Sequence, residues 1–209
     1  MRRRLDSAPL KDYLEDLWER LPAGVQAPDF VRRCKFLLDS KIVPGTRALD
    51  LGCGEGDFTE LLARVGADVV GAEVAEAALA RARAAHPELT FALVPLDGPL
   101  PYEDGTFTLV WASEVIEHVA DTARWLSEVR RVLAPRGRLL LTTPAHGRVG
   151  VALHGIERYS EPLGDHLHLY SRRSLVGLLS DFGFCELEVS SRGGPPLLRR
   201  LLLASAVRC

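Results

Sequence analysis

The chain has 209 residues, of which 47% are hydrophobic and 26% are charged, and its formal net charge is −2. This length suits one domain with a single core, and the composition is ordinary for a soluble globular protein. The near balance of charge offers no general attraction to nucleic acid or anionic lipid, and no apolar run is long enough for a membrane span.

Hydrophobic periodicity divides the chain into alternating helices and strands. Two amphipathic helices are predicted first, over residues 9–21 and 28–40, and strands follow at 47–51, 68–72, 89–94, 107–113 and 137–143. Helices at 58–65, 75–85 and 120–133 separate these strands, and a helix at 171–182 precedes strands at 184–190 and 197–207. Nearly all-apolar strands that alternate with helices predict an α/β fold, a mostly parallel sheet covered on both faces.

The first strand leads into a glycine-rich turn, with the sequence ALDLGCGEG at residues 48–56. A strand followed by glycines and a helix is typical of nucleotide-type sites, because glycines let the backbone approach a ligand closely. The spacing differs from the dinucleotide pattern G-x-G-x-x-G, and no Gly-Lys-Ser/Thr of a phosphate loop follows. Asp50 would repel a phosphate, so this turn suits a cationic or hydroxyl-bearing ligand.

This turn resembles motif I of the class I S-adenosylmethionine-dependent methyltransferases. Other segments resemble that family in the same order: VVGAE at residues 69–73 is similar to motif II, and LPYEDGTF at 100–107 and RRVLAPRG at 130–137 are similar to the approaches to strands four and five. The resemblance extends from residue 47 to the end of the chain. It implies a Rossmann-like fold with seven strands, mostly parallel with an antiparallel final strand, and S-adenosylmethionine as cofactor.

The resemblance also implies the residues that bind the cofactor: Asp50, Gly52, Cys53, Gly54, Gly56, Glu73, Asp97 and Glu114. Glu73 ends a strand at the edge where open α/β sheets bind ligands, and one carboxylate can hold two vicinal ribose hydroxyls. Asp97 stands where the family's third acid lies near the adenine. Asp50 would face the methionine amino group, and the glycine backbone would lie under the sugar and the sulfonium.

A cluster of acids and histidines follows the fourth strand. If the chain turns helical there, Glu114, Glu117 and His118 share one face, and His166 follows in the sequence DHLHLY at 165–170. These residues resemble the E-x-x-E-H…H set of small-RNA 3′-terminal 2′-O-methyltransferases, which holds Mg²⁺ or Mn²⁺, and similar residues occur in the O-methyltransferases of ubiquinone synthesis. Many methyltransferases carry this segment without a metal, which is the interpretation we prefer here. With a metal, the implied ligands are Glu114, Glu117, His118 and His166.

We expect a methyltransferase that moves a methyl group to an O or N atom of a small-molecule acceptor. His118 is the first candidate for the base that takes the acceptor's proton, with Glu117 to orient it and His146 as a second candidate. Residues 1–45 would form a lid on the cofactor domain of residues 46–209, and residues 144–170 a substrate loop. Two alternatives are a metal-dependent RNA 3′-terminal 2′-O-methyltransferase, which the charge balance disfavours, and a non-catalytic S-adenosylmethionine-binding regulator.

The four cysteines, Cys34, Cys53, Cys185 and Cys209, form no C-x-x-C pair. The cysteines therefore predict neither a zinc site nor a disulfide framework. We expect reduced thiols in a cytoplasmic protein. The first residues are polar and charged, which predicts that no secretory signal is present.

Overall fold

The computed structural model describes residues 8–25, 28–96, 98–147, 152, 166–195 and 200–209 of the chain. The helices are α1 (Ala8–Arg20), α2 (Phe30–Asp39), α3 (Asp57–Arg64), α4 (Glu76–Ala85), α5 (Thr122–Val132) and α6 (Arg172–Asp181). The strands are β1 (Arg47–Leu51), β2 (Asp68–Glu73), β3 (Thr90–Leu93), β4 (Phe107–Ser113), β5 (Leu133–Pro144), β6 (Phe184–Arg192) and β7 (Leu201–Arg208). Each of these helices and strands overlaps the segment that the sequence predicted for it.

The strands form one seven-stranded sheet in the order β3-β2-β1-β4-β5-β7-β6. Strands β1 to β5 pair in parallel, and β7 runs antiparallel to both β5 and β6. This confirms the predicted fold, including the antiparallel final strand. Strands β2 and β3 lie on one side of β1, and β4 and β5 lie on the other. The strand order therefore reverses between β1 and β4, and a crevice opens at the carboxyl ends of these two strands.

Alternate residues of the central strands pack into two separate cores, one on each face of the sheet. Leu49 of β1 and Val110 of β4 belong to the core that includes residues of α5 and α6. Trp111 of β4 belongs to the opposite core, where it packs with residues of α2 and α3. Because neighbouring residues of a strand point to opposite faces, an uninterrupted apolar strand is what a sheet covered on both sides requires.

Helix α1 is attached to the start of α4 by a side chain from far away in the sequence. The carboxylate of Glu15 accepts hydrogen bonds from the backbone N–H groups of Glu76 and Ala77, at 2.9 and 3.0 Å. The residue before α4 is Ala75, which has no side chain that could cap these groups. A carboxylate at a helix N-terminus also interacts favourably with the helix dipole. Glu15 therefore positions α1 beside the glycine turn.

Two of the four cysteines are oxidised, whereas the sequence predicted reduced thiols. Cys185 in β6 and Cys209 after β7 form a disulfide, so the expectation of reduced thiols is wrong for these two, whereas Cys34 and Cys53 are free. The antiparallel pairing of β6 with β7 brings their Cα atoms to 5.7 Å despite a sequence separation of 24. The cytoplasmic location stays a prediction. In the described part of the chain, no helix is long and apolar enough to cross a membrane.

Candidate active site

A cavity of about 980 Å³ opens at the carboxyl ends of β1, β2 and β4. It is lined by the glycine turn, by the ends of these strands, by α1 and α2, and by the turn at residues 113–121. The crevice of an open α/β sheet is the usual place for a ligand, and this volume is at the upper end of the range for small-molecule sites. Eight of the predicted site residues line it: Gly52, Cys53, Gly54, Glu73, Glu114, Glu117, His118 and His166.

The glycine turn has a backbone that only glycine adopts without strain. Gly52, Gly54 and Gly56 have φ angles of 78°, 54° and 92°. A Cβ atom on Gly52 would lie 2.4 Å from Cγ2 of Val115, and one on Gly54 would lie 3.0 Å from the ring of Trp18. The turn therefore approaches both α1 and the loop after β4 too closely to allow side chains.

Cys53 lines the cavity between these glycines, and its side chain is buried. Burial raises the pKa of its thiol above the ordinary value, with the nearby carboxylates of Asp50 and Glu73 adding to the effect. The thiol is therefore neutral and weakly nucleophilic.

Glu73 connects the glycine turn to the end of β2. One oxygen of its carboxylate accepts a hydrogen bond from the Gly54 N–H at 3.1 Å, and the other accepts one from the Val74 N–H at 2.7 Å. Burial raises the pKa of Glu73, and these backbone hydrogen bonds oppose that rise. The carboxylate is thus held rigidly at the edge of the cavity, which it lines.

Asp50 lies behind the turn rather than in the cavity. Its side chain is buried, with 1% of the residue exposed, and it accepts a hydrogen bond from the Thr59 hydroxyl of α3 at 2.6 Å. Asp50 is absent from the described residues that line the cavity. Asp50 therefore lies on the side of the turn away from the cavity, where it connects the turn to α3 through Thr59. Asp97, the other predicted acid, lies outside the described residues.

Glu114 follows β4 with a φ angle of 57°, and it is held by β5. Its N–H donates to the Thr142 carbonyl at 3.0 Å, and its Oε1 accepts a hydrogen bond from the Thr142 hydroxyl at 2.8 Å. The Thr142 hydroxyl lies 3.0 Å from that of Ser113, which accepts a hydrogen bond from Arg33 at 2.9 Å. A chain of hydrogen bonds therefore connects the Arg33 guanidinium with the Glu114 carboxylate. Burial raises the pKa of Glu114, and the positive charge of Arg33 opposes that rise.

Arg33 of α2 is the main site residue that the sequence analysis missed. Only 3% of it is exposed, it lines the cavity, and its guanidinium lies 5.9 and 5.6 Å from the ring centroids of Phe30 and Phe58. Its Nε is buried without a hydrogen-bond partner among the described residues. The signal was present in the sequence, because Arg33 follows Phe30 by three residues and precedes Leu37 by four, which places a charge on the apolar face of a helix.

The segment from Glu114 to His118 is a turn rather than the helix on which the predicted shared face depended. The His118 N–H donates to the Val115 carbonyl at 2.9 Å, as in a turn. Glu117 and His118 point towards His166, while Glu114 points towards Thr142. The metal set implied by the resemblance is therefore not assembled as four ligands.

Glu117, His118 and His166 form a compact cluster that lines the cavity. One ligand atom from each lies within 4.8 Å of the others, and Glu117 Oε1 is 3.9 Å from His118 Nε2. Glu117 is fully buried, and its Oε2 accepts a hydrogen bond from the Thr143 hydroxyl at 2.9 Å. Burial raises the pKa of Glu117 well above its ordinary value, and the charge of Glu114 adds to this rise.

Backbone contacts explain why His166 reaches this cluster. The His168 N–H donates to the Glu117 carbonyl at 3.1 Å, and the His146 N–H donates to the Tyr170 carbonyl at 2.8 Å. His146 Nδ1 in turn accepts a hydrogen bond from the Tyr170 N–H at 3.1 Å. Burial lowers the pKa of His146, so this imidazole is neutral. His146, the second candidate base, therefore holds residues 166–170 in place.

Comparisons with known proteins identify the family of this chain. A family model described as a methyltransferase domain matches residues 5–189. The chain belongs to this methyltransferase family. A probable S-adenosylmethionine-dependent methyltransferase of Mycolicibacterium smegmatis is 39% identical over 100 residues, which cover 48% of this chain and 38% of that protein. A ubiquinone biosynthesis O-methyltransferase of Psychrobacter arcticus is 30% identical over 176 residues, which cover 78% of this chain and 68% of that protein.

A solved structure adds to this agreement. The crystal structure of an S-adenosylmethionine-dependent methyltransferase from Mesorhizobium loti superposes with a TM-score of 0.70 at 25% identity, covering 87% of this chain and 98% of that one. The matched regions span only 31–38% of the length of the first curated relatives. The family membership confirms the predicted class I methyltransferase superfamily, and its cofactor is S-adenosylmethionine.

The buried position of Asp50 leads to a prediction about pH. Burial raises its pKa from 3.8 to about 7, although the Thr59 hydroxyl opposes the rise. A carboxyl whose pKa is raised on folding stabilises the folded state below its unfolded pKa, and that contribution is lost as pH increases through the folded pKa. Each unit of pKa corresponds to about 1.4 kcal/mol.

We therefore expect Asp50→Asn to become progressively more stable relative to the wild type between about pH 4 and pH 7. The difference between the two free energies of unfolding, measured by urea denaturation at pH 4, 5, 6, 7 and 8, should increase by a few kcal/mol. The asparagine amide keeps an oxygen for the Thr59 hydroxyl, so a loss of packing should not obscure the result. A difference that is constant across this pH range would contradict the prediction.

Proposed function

We propose that this protein transfers the methyl group of S-adenosylmethionine to an O or N atom of a small-molecule acceptor, preferably a hydroxyl oxygen. The observation that carries the proposal is that one cavity holds both the glycine turn with Glu73 and, on another wall, the buried Glu117 beside the half-buried His118. The cofactor and a group that takes up a proton can therefore face the same acceptor. The similarity to a ubiquinone biosynthesis O-methyltransferase favours oxygen as the acceptor atom.

In this proposal Glu73 binds the two ribose hydroxyls of the cofactor. The backbone N–H groups of Gly54 and Val74 donate hydrogen bonds to its carboxylate, which fixes its orientation and favours its charged form. The backbone of Gly52 and Gly54 lies against the cofactor with no Cβ in between, and the neutral Cys53 thiol contributes apolar contact. Asp50 supports the turn through Thr59 instead of touching the methionine amino group.

Arg33 and Glu114 are proposed to bind the amino-acid end of the cofactor. That end carries one carboxylate and one ammonium group, and these two side chains line the cavity with one positive and one negative charge. Their connection through Ser113 and Thr142 holds the opposite charges at a set separation. A guanidinium is suited to binding a carboxylate, because it can donate two parallel hydrogen bonds.

The acceptor is proposed to have an apolar body. Helix α1 contributes Tyr13, Leu14, Leu17 and Trp18 to the cavity, and α5 contributes Trp125. Such a wall binds hydrophobic surface and excludes water from the reaction. We propose that α1 and α2 act as the lid predicted for residues 1–45, and that residues 144–170 form the predicted substrate loop. Most of that loop lies outside the described residues.

The reaction is a displacement in which the methyl carbon leaves sulfur and bonds to the acceptor oxygen. The main task of the enzyme is to align the two atoms, and the hydroxyl proton must be removed. His118 takes this proton, and Glu117 beside it stabilises the protonated imidazole. The products are the methylated acceptor and S-adenosylhomocysteine. No observation favours RNA as acceptor, since the four-ligand metal set on which that alternative rested is not assembled.

The proposal is tested by turnover on a panel of hydrophobic phenols, catechols and hydroquinones, with release of S-adenosylhomocysteine as the measurement. The wild type should turn over at least one hydroxyl-bearing compound and none of the matched compounds whose hydroxyls are already methylated. With that acceptor, His118→Ala should lower kcat by about a hundredfold, because general acid–base groups contribute on this order. The affinity for S-adenosylmethionine should stay unchanged.

Two outcomes would contradict the proposal. Tight binding of S-adenosylmethionine without turnover across the panel would favour the non-catalytic regulator. Full turnover by His118→Ala would show that another group removes the proton.

A further inference from the structure

We propose that Glu117, His118 and His166 form a binding site for a borderline divalent metal ion such as Zn²⁺, rather than for the Mg²⁺ or Mn²⁺ that the sequence resemblance implied. The site consists of two imidazoles and one carboxylate. Imidazole ligands suit Zn²⁺, Fe²⁺ or Co²⁺, whereas Mg²⁺ and Mn²⁺ prefer carboxylate, carbonyl and water oxygens. Only one carboxylate is available here, so the ligand chemistry favours the borderline metals.

The geometry is close to that of a three-ligand site. The ligand atoms of the three side chains lie within 4.8 Å of one another. Bonds of about 2.0–2.1 Å place the ligand atoms of tetrahedral Zn²⁺ roughly 3.4 Å apart. Both histidines lie outside helices and strands, on the turn after β4 and just before Tyr170, so small side-chain rotations would bring the ligands to bonding distance.

A second observation points to a ligand at this place. Glu117 is fully buried, yet its Oε1 has no hydrogen-bond partner among the described residues. A buried polar atom without a partner is costly, and a metal ion would satisfy it. The other oxygen, Oε2, is already held by the Thr143 hydroxyl, as expected of a carboxylate that is oriented for metal binding.

Glu114 does not belong to this site. Its carboxylate accepts a hydrogen bond from Thr142 and is connected through Ser113 to the positively charged Arg33. The structure therefore separates the two glutamates that the resemblance placed together. This separation allows the three-ligand site to be distinguished from the four-ligand site by experiment.

The open coordination positions would face the cavity, because all three ligands line it. Catalytic zinc sites have this arrangement, with three protein ligands and an open position for water or substrate. With the ion bound, an acceptor hydroxyl at that position would lose its proton more readily, and His118 would serve as a ligand instead of a base. Metal binding can nevertheless be measured without any acceptor, so this proposal stands or falls independently of the proposed methyl transfer.

The test is calorimetric titration of metal-free, tag-free protein with ZnCl₂ and, separately, with MgCl₂ and MnCl₂. One equivalent of Zn²⁺ should bind to the wild type, with Mg²⁺ and Mn²⁺ much weaker. Glu117→Gln and His166→Ala should each weaken Zn²⁺ binding by at least about a hundredfold, since even residues that only orient a ligand contribute 10–100-fold. Glu114→Gln is the matched control and should bind Zn²⁺ as the wild type does.

A second measurement guards against variants that fail to fold. The visible absorption of Co²⁺ reports coordination directly, and its bands should appear with the wild type and Glu114→Gln but not with His166→Ala, whose folding is checked by circular dichroism. Three outcomes would overturn the proposal: no Zn²⁺ binding by the wild type, unchanged binding by His166→Ala, or equal loss of binding by Glu114→Gln. The last of these would restore the four-ligand site.

Discussion

Replacement of Glu73 by alanine is expected to lower the affinity for S-adenosylmethionine by about 30- to 5,000-fold. This range corresponds to the 2–5 kcal/mol that is typical when one partner of a buried, hydrogen-bonded polar contact is truncated. The loss has two parts. The ribose hydroxyls lose their acceptor, and the N–H groups of Gly54 and Val74 lose the carboxylate that fixes the turn.

Isothermal titration calorimetry with S-adenosylmethionine measures this effect directly. Glu73→Gln should give an intermediate affinity, because the amide oxygen can still accept one hydrogen bond while the charge is gone. Glu76→Gln is the matched control, since that glutamate is exposed on α4 and pairs with Arg83. Wild-type affinity in a folded Glu73→Ala protein would rule out the proposed role of Glu73.

The second large effect is expected from Gly52→Ala, which should destabilise the protein by about 2–5 kcal/mol. The φ angle of 78° is unfavourable for alanine by roughly 1–2 kcal/mol. In addition, the new Cβ would lie 2.4 Å from Val115 Cγ2, and overpacking of this kind costs typically about 1–3 kcal/mol. Displacement of Val115 would also move the turn that carries Glu117 and His118, so the substitution should disturb both walls of the cavity.

Urea denaturation of the variant and the wild type gives the difference in the free energy of unfolding. Gly177→Ala is the matched control, because a Cβ at this position in α6 meets nothing within 4 Å, and alanine in a helix is favoured by about 1 kcal/mol. The double variant Gly52→Ala, Val115→Ala removes the clash. We therefore expect Gly52→Ala to destabilise the Val115→Ala protein less than it destabilises the wild type. Stability of Gly52→Ala equal to that of the wild type would contradict the close approach seen in the structure.

The local elements and the type of site followed from the sequence alone. The bounds of β1 agree with the prediction, because a short apolar run before glycines has few other conformations available. Gly52, Gly54 and Gly56 have the positive φ angles that their spacing suggested, and Glu73 ends β2 beside them. These features depend on backbone preferences and on the period of apolar residues, which neighbouring residues determine.

The contacts that complete the site depend on packing between residues far apart in the chain, and only the tertiary structure decided them. Arg33 reaches Ser113 because α2 packs against the sheet, and His166 reaches His118 because the His168 N–H binds the Glu117 carbonyl. Glu114 and Glu117 have the spacing of one helical face, yet a turn directs them to different partners. The sequence alone predicted S-adenosylmethionine as the cofactor and the carboxyl edge of the sheet as the place where it binds. The positions of its charged groups were decided by long-range packing, because no local pattern records which distant surfaces meet.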